Sequence, residues 1–249
     1  MELPLLKLVS ACGLLTLAAT TAFAQSSPCP QATKSYGIPG AAASLAGCPF
    51  SAVIETESTQ SLADGTQIRK KFKGLVYRDS AGRIRYETFA PTNPDADFPA
   101  APNMVHIFDP VAGFSYVLFP ETAVGLRHRL NESAKSPAVP QRSAALVSAS
   151  TQSQEPEPVI EKLGSKLLEG LSVCGSRMTQ TIPVGAEGND RALTVVVETW
   201  ESRDMGIILL QKNSDPRSGN SIKRMTNLKR TEPDAALFQV PTDYTISDQ

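Results

Sequence analysis

The chain has 249 residues, with 24 lysines and arginines against 25 aspartates and glutamates, so its formal net charge is −1 at pH 7. A near-neutral chain lacks the electrostatic footprint of a nucleic-acid-binding protein, and we expect no nucleic-acid partner. Only two histidines are present, and they form neither an HxH nor an HxxxH pair, so we expect no histidine-rich metal site.

Residues 1–24 have the features of a secretory signal peptide. An apolar run from about Leu8 to Ala19 leads to Ala22-Phe23-Ala24, the small-x-small pattern that precedes a cleavage site. We therefore predict cleavage after Ala24 and a periplasmic or secreted protein with no transmembrane anchor after cleavage. Val9-Ser10-Ala11-Cys12 also loosely fits a lipoprotein cleavage box, so lipidation of Cys12 stays an alternative.

Three cysteines remain after cleavage, and an oxidising compartment allows them to form disulfides. We favour a Cys29–Cys48 pair, whose loop gives a stabilisation of about 3 kcal/mol in the loop-entropy model. Cys174 would then be a buried small side chain rather than a reactive thiol, because no histidine or CxxC neighbour is present to activate it. In the alternative, Cys174 forms the disulfide and one N-terminal cysteine is free.

The first half of the mature chain predicts a flexible lead-in followed by strands. Residues 25–48 carry Ser, Pro, Ala and Gly without a period, and order is expected to begin near Pro49. Asp64-Gly65 is a hairpin signal, and Pro91–Pro102 is a proline-rich loop. The apolar and alternating runs between these turns predict six strands, at about 49–58, 67–80, 83–90, 103–109, 114–120 and 123–129.

The second half follows a low-complexity insertion at residues 131–158, and together the two halves form a single β-rich domain over 49–246. Five further strands are predicted, at about 159–170, 171–183, 193–200, 206–212 and 221–231. Residues 159–170 also have some helical periodicity, but Gly164 and Gly170 interrupt it, and we choose strand. The strand at 221–231 has a partly wet face or lies near a sheet edge, where its lysines discourage further pairing.

The C-terminal end predicts one helical turn. Asp234 is the expected cap of residues 235–238, which would place Leu237 and Phe238 against the sheet, and an extended tail follows through Ile246. The chain contains no GxSxG, GxxxxGK[ST], SxxK or dinucleotide fingerprint, so we expect neither a cofactor nor an enzyme.

Five segments carry a resemblance to a known family: YRDSAGRIRYE (Tyr77–Glu87), IFDPVAGFSYVL (Ile107–Leu118), EGNDRALTVVVETWES (Glu187–Ser202), SDPRSGNS (Ser214–Ser221) and LFQVPTDY (Leu237–Tyr244). They resemble secreted bacterial proteins that look like distant members of the periplasmic lipoprotein-carrier (LolA/LolB-like) superfamily. The resemblance implies a mainly β fold with few short helices, a curved antiparallel sheet or incomplete barrel whose concave face holds acyl chains. The chain departs from the carriers in its insertion and in its few helix-like stretches.

Two functional hypotheses follow. The first is binding of a lipid or lipoprotein acyl chain, because apolar strand faces need a cover and each buried methylene contributes about 0.8 kcal/mol. The second is an envelope sensing or scaffold module that binds a protein partner through a sheet edge, as related periplasmic regulators do. The candidate lining residues are Phe114, Tyr116, Leu118, Val195, Val197, Trp200, Ile208 and Leu210. The alternative is that these side chains form a dry core.

Overall fold

A computed structural model describes residue 46 and residues 48–92, 99–130 and 156–249. The predicted signal peptide, Cys12, Cys29, most of the predicted lead-in, half of the proline-rich loop and most of the predicted insertion lie outside these ranges.

The described chain forms twelve strands and one short 3-10 helix. The strands are β1 (Phe50–Ser61), β2 (Gln67–Arg78), β3 (Ile84–Thr88), β4 (Met104–Asp109), β5 (Phe114–Phe119), β6 (Val124–Arg129), β7 (Val159–Leu168), β8 (Leu171–Ile182), β9 (Leu193–Ser202), β10 (Ile207–Asp215), β11 (Gly219–Lys229) and β12 (Thr245–Asp248), and the 3-10 helix is Ala235–Phe238. The mainly β fold class predicted from the sequence is confirmed.

All twelve strands belong to one open sheet, in the order β12-β6-β5-β4-β3-β2-β1-β11-β10-β9-β8-β7. Strands β1–β6 form one meander and β7–β11 form a second, and the antiparallel pairing of β1 with β11 joins them. Neighbouring strands are antiparallel throughout except for β12, which pairs with β6 in parallel. The sheet is not closed into a barrel, which agrees with the predicted incomplete-barrel form.

Local sequence explains most of the hairpins. Between β1 and β2, Gly65 has a φ of +86°, a conformation that glycine adopts without a steric cost, and the Thr66 N–H donates a 2.9 Å hydrogen bond to Asp64 Oδ1. Residues 159–168 are a strand, as chosen over the helix, and their ladder with β8 shifts register between Lys162 and Gly164. The predicted cap is also confirmed, because Asp234 Oδ1 accepts a hydrogen bond from the Ala236 N–H.

Two predictions at strand level are corrected. β11 does not lie near an edge, because it pairs with β1 on one side and β10 on the other. The C-terminal tail is not merely extended: Ile246 lies opposite Gly125 in the ladder between β12 and β6. Arg127 also binds the Asp248 carboxylate with contacts of 2.6 and 2.9 Å, which anchors this last strand.

The sheet has two faces, which we name from β1. Face A carries the even-numbered residues of β1 and β2, because Phe50 lies opposite Arg78, and face B carries the odd-numbered ones. Thr56 lies opposite Lys223, which carries the assignment into β11. The remaining ladders extend it to both edges.

One end of face A contains much of the main core, with the buried side chains of Phe50, Ala52, Ile54, Val76, Ile84 and Met225. Arg78 lies among them with an exposure of 1%. Its Nε donates to the Cys48 carbonyl at 2.9 Å and its Nη2 donates to the Met205 carbonyl at 2.8 Å. These hydrogen bonds fix the segments around Cys48 and Met205 over this end of the face.

Face B carries a second, smaller core on β4 and β5, towards the β12 edge of the sheet. Val105, Ile107 and Leu118 are buried there, with exposures of 1–2%, and the C-terminal side chains of Val240, Tyr244 and Ile246 pack against them. The C-terminal segment therefore covers face B of β4–β6 and leaves face A of the same strands uncovered by it.

The cysteine pairing differs from the favoured prediction. Cys48 is a free thiol whose Sγ lies 3.8 Å from the Asp204 carbonyl oxygen, whereas Cys174 is disulfide-bonded. The Cys29–Cys48 pair is therefore wrong, and the alternative in which Cys174 forms the disulfide is the one described. Arg78 Nε holds the Cys48 carbonyl at 2.9 Å, and the Cys48 thiol contacts the Asp204 carbonyl oxygen instead of a second sulfur.

Candidate ligand-binding surface

Large apolar side chains are exposed on face A. Within the described strands, eight such side chains are exposed, and seven of them lie on face A, with Val159 on face B as the exception. The seven are Ile68, Phe72, Phe119, Val124, Ile160, Leu167 and Met178. Scattered apolar residues are normal on a protein surface, but a concentration on one face of a sheet marks an interaction surface.

The ladders divide most of these side chains into two groups. On β4–β6, Met104 and Phe119 lie on adjacent strands, Phe119 lies opposite Val124, and Val117 lies opposite Leu126. We call these five residues the β4–β6 patch. It continues the apolar surface of the main core on face A, through Val76 and Ile84 of neighbouring strands.

The second group also lies on face A, at the β7 edge of the sheet. Ile160 lies opposite Met178, and Met178 lies opposite Val197, so the three side chains form one row across β7, β8 and β9. Val195 lies two residues along β9 on the same face. We call these four residues the β7–β9 patch. Met178 is 37% exposed and Ile160 is 68% exposed, which leaves a wide apolar surface in contact with water.

A polar band separates the two patches on β1, β11 and β10. Lys223 lies at its centre, opposite Thr56 on one side and Gln211 on the other. The next row along the strands continues this polar character with Ser58, Ser221 and Asn213. Phe72 of β2 lies opposite Thr56 and forms the apolar border of the band.

Two ionisable groups of face A are partly desolvated. Burial lowers the pKa of Lys223, whose side chain is only partly exposed, and burial also lowers the pKa of His106 on β4. The His106 side chain is nevertheless exposed. Neighbouring protein groups therefore displace part of the water around both side chains.

Face B of β7–β10 carries an ion-pair network, and among the described strand residues Val159 is its one exposed large apolar side chain. The Glu198 carboxylate accepts hydrogen bonds from Trp200 Nε1 at 2.8 Å, Lys212 Nζ at 3.1 Å and Arg177 Nη2 at 3.2 Å. These bonds lower the pKa of Glu198 to about 2, and the bond from Trp200 contributes most. The Lys166 ammonium lies 3.6 Å from the centre of the Trp200 ring and covers it.

The eight side chains predicted to line a ligand site are divided between the two faces. Val195 and Val197 lie on face A, in the β7–β9 patch. Five lie on face B, where Leu118 and Trp200 are core residues with exposures of 1% and 8%; the five are Phe114, Tyr116, Leu118, Trp200 and Leu210. Ile208 lies beside the register shift of β10.

The sequence prediction missed the exposed residues of face A. Phe119 and Val117 lie on the opposite side of β5 from the three residues predicted on that strand, Phe114, Tyr116 and Leu118. Alternation along one strand separates its two sides, but it does not say which side continues onto a neighbouring strand. Face A is identified by the exposure of its apolar side chains together with the strand register, and the register is known only from the pairing of the strands.

Within the ranges that the structure describes, no group of three or more His, Cys, Asp or Glu side chains is arranged to hold a metal ion. No helix in those ranges is long and apolar enough to span a membrane.

No protein-family model and no curated protein matches the sequence. Solved structures do match. An uncharacterized conserved protein from Thermus thermophilus is 11% identical, with 82% of this chain and 91% of that chain covered and a TM-score of 0.44. The MucA/MucB complex of Pseudomonas aeruginosa matches at 12% identity, with 81% and 59% covered and a TM-score of 0.42.

A LolA superfamily protein from Nitrosomonas europaea is 9% identical, with 78% of this chain and 90% of that chain covered and a TM-score of 0.30. TM-scores below 0.5 describe partial overlap, so no residue role is transferred from these proteins.

Proposed function

We propose that the protein is an exported, non-catalytic binding protein for a lipophilic ligand, a lipid or a lipoprotein acyl chain, which lies on face A. The observation that carries this proposal is the placement of seven of the eight exposed large apolar side chains of the described strands on that one face. A periplasmic or secreted location rests on the predicted signal peptide at residues 1–24.

The energetics favour an acyl chain as the occupant. Each methylene group removed from water contributes about 0.8 kcal/mol, so about ten buried methylenes supply a gross gain of about 8 kcal/mol before the cost of immobilising the chain. Face A provides two apolar patches for such groups without exposing backbone, because each described strand is paired on both sides except β7 and β12.

The test begins with the native protein. Native mass spectrometry after mild extraction should show co-purified lipid, and a clean apo mass would count against the proposal. A fluorescent fatty acid then measures affinity in solution. We expect the Ile160→Gln/Met178→Gln double variant to bind it at least about five-fold more weakly, because both substitutions place polar amides in the β7–β9 patch.

Val159→Gln is the matched control. Val159 and Ile160 are neighbours on β7, both are 68% exposed, and they project from opposite faces of the sheet. A polar residue at either position has the same effect on the strand edge, so only the face differs. Equal losses of affinity in Val159→Gln and in Ile160→Gln alone would contradict binding on face A.

In a second candidate function, the protein is an envelope sensing or scaffold module that binds a protein partner through a sheet edge. One observation favours it: β7 pairs only with β8 among the described strands, and it exposes Val159, Ile160 and Leu167. An unpaired strand edge with apolar side chains can accept a further strand. A pull-down from envelope fractions should then recover a partner that Leu167→Lys releases, and recovery of none would count against this function.

A further inference from the structure

Lys223 differs from the ion-paired cations of the sheet in having no acidic partner. Arg127, Arg177, Lys212 and Arg217 all form ion pairs with carboxylates at 2.6–3.2 Å. Lys223 forms no ion pair within the described ranges, although its side chain is partly buried.

The side chains around Lys223 on face A are neutral. Thr56 and Gln211 lie on either side of it across the sheet, and Ser221 and Met225 lie two residues away along β11. Among charged groups nearby, Glu55 and Arg224 are on face B, and Lys70 is a further cation on face A, opposite Ser58. Asp215, at the end of β10, is occupied by Arg217 with a contact of 2.7 Å.

This arrangement has the chemistry of an anion site. A partly desolvated ammonium without a counter-charge is stabilised when an anion reaches it, and the hydroxyl and amide groups of Thr56, Ser221 and Gln211 can donate further hydrogen bonds to that anion. Apolar surface begins on both sides of the band, with Phe72 on β2 and Val197 on β9. Charge and apolar surface therefore meet on one face of the sheet.

We propose that the polar band around Lys223 binds the anionic headgroup of an amphiphile whose acyl part lies on the adjoining apolar patches of face A. The inference deepens the proposed function and rests on it. It assigns the ligand to a chemical class, lipids with a phosphate or carboxylate headgroup, and it gives Lys223 the role of selecting that class against uncharged lipids.

The experiment compares two lipids with the same acyl chain, palmitoyl lysophosphatidic acid and 1-palmitoylglycerol, both kept below their micellar concentrations. Displacement of a fluorescent fatty acid from the full mature protein gives both affinities. We expect the anionic lipid to bind at least about ten-fold more tightly, which is the size of one charge-assisted hydrogen bond in a partly desolvated site.

Three variants then locate the selectivity. Lys223→Gln should weaken the binding of palmitoyl lysophosphatidic acid at least about ten-fold and so remove the preference, whereas Lys223→Arg should keep the preference. Lys229→Gln is the matched control, because Lys229 is an exposed lysine of the same strand that projects from face B, opposite Ser51. It should keep the preference as well.

The outcomes separate the two proposals. Equal affinity of the wild-type protein for both lipids, or a preference that survives Lys223→Gln, would overturn the headgroup site and leave lipid binding intact. Failure of both lipids to bind would overturn lipid binding on face A and the headgroup site with it. A lysophosphatidylethanolamine arm distinguishes a site for net negative lipids from one that accepts any phosphate.

Discussion

The ion-pair network of face B allows a quantitative prediction for Glu198→Gln. The glutamine keeps an oxygen that can accept the Trp200 N–H but loses the charge that Lys212 and Arg177 bind. We expect the variant to be less stable at pH 7, because two cations that now share one carboxylate are left without it.

The magnitude follows from the pKa of Glu198, about 2 in the folded protein against an ordinary value of 4.5. At about 1.36 kcal/mol per pH unit this difference sets an upper limit of about 3 kcal/mol on the stabilisation at neutral pH. The Glu198 side chain is 14% exposed and that of Lys212 is 49% exposed, so water and salt screen the network. We expect a loss of about 1–2 kcal/mol.

The direction of the pKa shift determines how the stabilisation by Glu198 changes with pH. A carboxyl group whose pKa is depressed in the folded state stabilises that state above its unfolded pKa, near 4.5, and loses this contribution as the pH falls toward about 2. Glutamine does not titrate. The difference in the free energy of unfolding between wild type and Glu198→Gln should therefore be constant above about pH 5.5 and shrink between about pH 4.5 and 2.

Urea unfolding followed by Trp200 fluorescence measures both quantities, with Glu161→Gln as the control. Glu161 also pairs with Arg177, at 3.0 Å, but its side chain is 58% exposed, so its replacement should cost less than about 0.5 kcal/mol. Two results would refute the reasoning. The first is a loss of unfolding free energy in Glu198→Gln that is the same at pH 7 and pH 3, and the second is a loss no larger than that of Glu161→Gln.

Three further predictions concern packing and backbone. Gly175→Ala should lower the free energy of unfolding by about 1–3 kcal/mol, because an added Cβ would lie 2.7 Å from the Trp200 ring, and unchanged urea unfolding would contradict this close approach. Leu118→Ala should lower it by about 2–5 kcal/mol, whereas a Val124→Ala control on face A should cost under about 1 kcal/mol; comparable losses would show that face A is a filled core. Ala123→Gly should raise the melting temperature slightly, because Ala123 has a φ of +49°, and a lower melting temperature would show that the flexibility of the unfolded chain dominates.

The strands could be predicted from the sequence because their signals are local. Hairpin turns such as Asp64-Gly65, and short runs of β-branched residues such as those of β9, specify the strands without reference to the rest of the chain. The β12 strand was missed for a corresponding reason. Residues 245–248 have little apolar alternation of their own, and their strand conformation depends on the free edge that β6 offers.

The candidate surface could not be predicted to the same extent. The choice of Leu118 and Trp200 as lining residues followed from their large apolar side chains, which is also what makes them core residues. The sequence does show the basic pair Lys223-Arg224, which predicts a solvated strand face, with contact with anionic head groups as the alternative. Nothing local distinguishes Lys223 from the exposed Lys229 further along the same strand. The two lysines lie on opposite faces of the sheet and opposite different residues of β1, which only the register of the ladder reveals.

The junction of the two meanders has a kinetic consequence. Val53 of β1 lies opposite Thr226 of β11, 173 positions later in the chain (226 − 53), so the middle of the sheet is closed by one of the longest-range pairings that the chain can make. Contacts between distant residues form slowly, because the intervening loop must be closed first. The pairing of β1 with β11 can form only when residues up to Lys229 are present, so we expect it to form after the hairpins within the first meander.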